Sequence, residues 1–194
     1  MRSLYLGPWR IDVERRDEVP RLLPASALAR AVAAALDAAG APGPASLGLI
    51  LSDDAELAEL NAAHMGKDGP TDVLSFPLLP PDAYPPHPGK ASAGDPTAPF
   101  RLPPGARGHL GDIVVSVERA VDQAEAGRGG QTGDVRWEAR DELRLLVTHG
   151  TLHVCGWDHA ERSEEAAMRE LERALLGGHR ADGGTLPPRE PVEP

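Results

Sequence analysis

Within HGTLHVCGWDH, residues 149–159, three histidines stand at spacings that could hold a metal ion. His149 and His153 are four apart, so on a helix their imidazoles project from one face, one turn apart. Gly156 can take the left-handed conformation that ends a helix, which lets the chain reverse and return His159 towards the first two. Three nitrogen donors are the usual protein ligands of a catalytic zinc, whose fourth position is kept for water. His149, His153 and His159 are therefore the expected ligands of one zinc ion. The order of divalent affinities would also admit nickel, cobalt or copper, so zinc rests on ligand type and availability.

The plain alternative is three ordinary core or surface histidines. Against it, three of the chain's seven histidines fall inside this short segment. At ~100° per residue, Leu146, Leu143 and Ala139 lie near the His149 side of the helix, which puts the site at the edge of a packed stripe, in a cleft floor. Glu142, two turns back on nearly the same line, is the expected partner of an imidazole N–H behind the ligands. The spacing H-x-x-x-H-x-x-G-x-x-H is that of metzincin proteases, but these carry their general-base glutamate directly after the first histidine. Gly150 stands there, and the protease reading loses its essential residue.

The elements that must position these side chains follow from periodicity and capping. Residues 10–15 alternate as a first strand, with Ile11 and Val13 on one face. Residues 24–39 form a strong helix with Leu28, Val32 and Leu36 as its stripe. A buried strand at 46–51 leads to Asp53 as N-cap, with Glu56 at the capping-box position of a helix running to Asn61. A short β-type run at 71–76 comes next. Residues 110–117 read as a strand, 118–126 as a helix, and 134–155 as the longest helix. Ser163 is expected to cap the last one, with Glu164 and Glu165 set against its dipole. Ten prolines between Pro77 and Arg107, without any periodic pattern, mark 78–107 as a long mobile surface insertion. From Gly177 onward glycine, proline and charge predict a disordered tail, residues 177–194.

At 194 residues the chain suits one compact domain with a real core. Aromatics are only 4%, so that core must be mostly Ala, Leu and Val. The single cysteine, Cys155, excludes an internal disulfide and fits a reducing compartment. No stretch is apolar for the ~20 residues of a membrane span, and the first residues lack a signal core, so a soluble cytoplasmic protein is expected. A net charge of −10 argues against broad, non-specific nucleic-acid binding while leaving room for a local basic groove. Arg136, Arg140 and Arg144 make a basic stripe, but Arg140 falls on roughly the opposite side of the helix from His149, and a solvated face is the expectation.

HGTLHVCGWDH resembles the signature of the YbeY-type endoribonucleases, bacterial rRNA maturation factors. Two further segments agree in order, LNAAHMGKDGPTDVLSFP at 60–77 and HLGDIVVSVERA at 109–120. The likeness runs from about residue 10 to 176 and leaves out the proline-rich insertion and the tail. It implies an α+β domain with one small mixed β-sheet packed with helices, and a three-histidine metal site at the end of a long helix. It further implies a zinc-dependent, single-strand-specific endoribonuclease acting in 16S rRNA 3′-end maturation and ribosome quality control. Single-stranded RNA, a 16S rRNA precursor and the ribosome or its associated proteins are the implied partners. His149, His153 and His159 match the family's zinc ligands one for one. The chain departs from the pattern at Met65, where the family places an arginine, and in the length of the insertion. Methionine cannot neutralise a phosphate, and Lys67 is the nearest other cation.

On this resemblance the three histidines act through a zinc-bound water, its pKa lowered from ~15.7 towards ~7, which attacks the phosphodiester. Asp158, beside a ligand, is a candidate for the base or for holding an imidazole, as is Glu142. Thr71, Asp72 and Ser75 could contact RNA from a strand edge, although turn capping and sheet packing explain them equally well. Two other functions stay open: a non-catalytic zinc-containing ribosome-assembly factor, and a metal-dependent hydrolase of another substrate.

Overall fold

Alternating apolar residues build the middle of the sheet. In β3 (Ala45–Ser52) Leu47, Leu49 and Leu51 are buried on one face, and Ile113 and Val115 of β5 (Gly108–Ser116) continue it. The two strands are parallel neighbours, and β2 (Trp9–Arg15) lies parallel to β3 on its other side. Antiparallel strands form both edges: β1 (Arg2–Leu6) beside β2, and β4 (Val73–Pro77) beside β5. The result is a single α+β domain on a mixed five-stranded sheet ordered β1-β2-β3-β5-β4. The structure, a computed structural model, describes residues 1–88, 106–126 and 138–180.

Helices cover both faces. Leu28, Val32 and Leu36 of α1 (Ala25–Ala38) join Leu143, Leu146, Val147 and Leu152 of α4 (Ala139–Val154) in one core with the buried leucines of β3. On the opposite face α2 (Asp54–Met65) places Leu57 against Leu74 and Val114. Ser116 caps α3 (Val117–Glu125) by accepting the Arg119 N–H. The last helix, α5 (Arg162–Arg180), packs on α4.

At Gly150 helix α4 lies close against the sheet. A Cβ there would stand 2.7 Å from Ile113 Cγ2 and 2.8 Å from Val73 Cγ2. Ser75 Oγ of the edge strand donates to the Gly150 carbonyl at 3.0 Å. A side chain at the position after the first histidine would therefore have to displace Ile113 and Val73.

Several expectations are corrected. Residues 10–15 are not the first strand, because β1 precedes them through a turn whose Gly7 has φ 57°. Helix α2 runs past Asn61 to Met65. Asp53 does accept the Glu56 N–H, yet the Glu56 carboxylate does not reach back to the cap. It binds Arg16 through two bonds of 2.8 and 2.6 Å, and Ser52 besides. Ser163 lies inside the first turn of α5 and does not cap it. That helix also continues to Arg180, beyond the boundary expected at 176, while residues 181–194 lie outside the described residues. The start of the insertion docks on the body: after a 3-10 turn (Pro81–Ala83) Tyr84 is buried in the core and the His87 ring stacks on Trp157 at 4.0 Å. Apolar ring surface gives these residues something to bury, which proline content alone did not reveal; residues 89–105 lie outside the described residues. Arg140 pairs with Glu138 on the surface, but the Arg144 side chain is only 18% exposed, and so is no part of a solvated stripe; Arg136 is outside the described residues.

Two tests follow from this packing. Gly150→Ala gains ~1 kcal/mol of helix propensity but must move two stiff β-branched side chains, at a cost of about 1–3 kcal/mol. The urea midpoint should therefore fall; a rise would show that α4 does not approach the sheet this closely. Arg16, with help from Ser52, lowers the Glu56 carboxyl to about 2. A carboxyl depressed in the folded state stabilises above its unfolded pKa of ~4.3 and loses that contribution as pH falls towards 2. Glu56→Gln should be less stable than the wild type at pH 6, with the gap closing near pH 2.

Candidate metal centre

Helix α4 is buried around most of its circumference, and its last two turns carry the site. His149 and His153 project together, with their Nε2 atoms 3.1 Å apart. After Val154 the chain turns at Gly156, whose φ of 80° is the left-handed value expected from the sequence. The Gly156 and Trp157 N–H groups bond the carbonyls of His153 and Leu152, closing the helix end. Asp158 Oδ1 then accepts the backbone N–H of His159 at 2.8 Å, shaping the turn that returns the third ring. The three histidines each bring a ligand nitrogen within 4.8 Å of the others.

Protonation favours a cation. His149 Nδ1 lies 2.7 Å from Glu172 Oε1, and an ionised carboxylate only accepts, so that nitrogen carries hydrogen and Nε2 offers a lone pair to the site. Burial, followed by the charges of His149 and His159, pushes His153 down to about 4, so it is neutral near pH 7. Two imidazole nitrogens this close must share either a proton or a cation between them. The donor set, three imidazole nitrogens, fits a divalent metal with imidazole preference. Cys155, although within the same segment, is fully buried in the core and is not among the converging ligand atoms; burial pushes its thiol up to about 12.

The partner of His149 is a correction to the sequence analysis. Glu142 is buried, but it sits seven residues from His149, about 10 Å along the helix. Glu172 of α5, 3% exposed, makes the contact instead. Its signal was a glutamate on the buried line Met168, Glu172, Leu176 of the last helix, where a charge needs a partner.

The site opens into a cleft of about 630 Å³ between β4, α4, α5 and the end of α2. Thr71, Asp72 and Ser75 line it with the three histidines, as does Met65, which is 49% exposed. Asp72 is engaged by the Val73 N–H at 2.9 Å and Gln123 at 3.1 Å, and Ser75 by the Gly150 carbonyl. Lys67 is exposed and lies outside the cleft wall, and Asp158 does not line it either. From α5 come Arg169 and Glu165, which sequence reasoning missed.

Removing a carboxylate that orients a ligating histidine typically lowers metal affinity 10–100-fold. Glu172→Gln should show a loss of about that size in competition with a chromophoric chelator, with helicity retained. Wild-type affinity would mean that the Glu172–His149 contact does not serve the metal.

The family model described as Endoribonuclease YbeY matches residues 11–179. A protein named endoribonuclease YbeY from Roseiflexus castenholzii is 36% identical over 170 residues, covering 86% of this chain and 91% of its own length. Its namesake in Thermobifida fusca is 38% identical over 170 residues, covering 88% and 94%. The matched span takes in α4, the ligand turn and Glu172, and the chain belongs to the endoribonuclease YbeY family.

Proposed function

We propose that this chain is a zinc-dependent endoribonuclease that cuts single-stranded RNA. Its substrate is the 3′-end precursor of 16S rRNA, and it works in the cytoplasm with the ribosome and its associated proteins, in rRNA maturation and ribosome quality control. The observation that carries the proposal is the convergence of three imidazole nitrogens, within 4.8 Å, on the floor of an open cleft. Relatives of similar length are named endoribonucleases, and no described helix is long and apolar enough to cross a membrane.

A divalent ion in such a site supplies Lewis-acid polarisation of a phosphoryl oxygen and activates water. The chain's own residues do the rest. His153 stays neutral because it is buried, Glu172 fixes the tautomer of His149, and Asp158 acts by holding the His159 turn. Thr71 and Asp72, just before the β4 edge, form one wall of the cleft.

A second reading, a zinc-containing ribosome-assembly factor without catalysis, is favoured by Met65, which occupies the cleft wall without a charge. The two separate in one experiment, using metal analysis and incubation with single- and double-stranded RNA. His153→Ala should lose metal and cleavage together, and cleavage persisting in metal-free protein would overturn the proposal. Wild type that holds zinc but leaves RNA intact, with cleavage gained by Met65→Arg, would establish the second reading.

A further inference from the structure

A cleft that takes RNA must offer cations to phosphate, and a chain with net charge −10 does not do so by default. Arg169 of α5 is the one Lys or Arg side chain among the described residues lining the cleft. It stands three residues before Glu172, which touches His149 at 2.7 Å. Residues so spaced are neighbours on a helix surface, with Cβ atoms about 5–6 Å apart. Arg169 and the three histidines line the same cleft.

Arg169 is not isolated along α5. At ~100° per residue Arg162, Arg169 and Arg173 fall within about 40° of one another. Together they cover about 16 Å of helix axis. All three are exposed, and neither Arg162 nor Arg173 has an ion-pair partner among the described residues. Two of the four carboxylates on this helix are turned elsewhere. Glu164 is buried and accepts the Glu161 N–H, and Glu172 is buried on His149. Two carboxylates accompany the row: Glu165, 2.5 Å from Arg169, and the exposed Glu170, three residues before Arg173 and without an ion-pair partner among the described residues. Exposed pairs of this kind hold weakly, and a phosphate can replace the carboxylate on the same fork of donors.

We propose that Arg162, Arg169 and Arg173 form a phosphate track that lays single-stranded RNA along α5, with Arg169 gripping the phosphate nearest His149. The inference rests on the endoribonuclease reading and gives its site a polarity: the strand runs beside α5. Arg169 thereby supplies from the opposite wall the cation that Met65 does not. The competing view is a helix face whose arginines only meet solvent.

The test is fluorescence polarisation of a labelled 2′-O-methyl oligouridine with the full zinc-loaded chain across a range of salt, the strand's integrity being checked on a gel. Arg169→Ala should weaken binding several-fold and reduce the slope of log K against log salt by about 0.7, and the triple alanine variant by about 2. Glu165→Gln should tighten binding. Metal per chain and helicity should match the wild type throughout. Variants with wild-type affinity and slope, in a protein that cleaves single-stranded RNA, overturn the track and leave the endoribonuclease reading standing. A wild type that neither binds nor cleaves the strand overturns both.

Discussion

The contact on which the site depends is the approach of α4 to the sheet at Gly150. Backbone and sheet are so close there that Ile113, Val73 and Ser75 occupy the space a side chain would need. The residue before it, His149, is thereby held at a fixed depth against the edge strand, and His153 follows one turn on. Packing interiors transmit such constraints with little give. The geometry of the imidazoles is therefore set by apolar contact on one side of the helix, and only refined by Glu172 on the other.

The second constraint comes from the far end of the chain. Helix α5 returns across α4 and brings both signs of charge to the cleft, Glu172 against His149 and Arg169 along the wall. The division of labour is spatial. A buried carboxylate stabilises the tautomer of one ring, while an exposed guanidinium remains available to a ligand. Residues less than one turn apart thus meet different dielectric surroundings and take different tasks.

Much of this was legible in residue order, and the failures have a common cause. The ligand triad could be read because all its members lie on one helix and the turn after it, where spacing alone fixes direction. Gly156 was legible for the same reason, and so were the strands with Leu47, Leu49 and Leu51 or Ile113 and Val115. Glu172 was not, since its role depends on how one helix crosses another, a relation with no period along the chain. Glu142 was favoured because it lay on the right line of its own helix, yet a line says nothing about reach. β1 went unseen because none of its five residues is buried and they gain their place by pairing with β2. Ser163 and Glu56 carry the correct chemistry for capping, but tertiary partners or the true helix start decide otherwise.

Cys155 carries a wider consequence. It lies between the second and third ligands in the chain, and a thiolate turned into the site would have added an anionic, soft donor. Burial instead keeps the sulfur protonated and facing the core. No sulfur is then among the converging donors, so a divalent guest would keep more of its positive charge than thiolate ligands would leave it. Electron-withdrawing strength is preserved, in contrast to sulfur-rich structural sites whose ligands quench it.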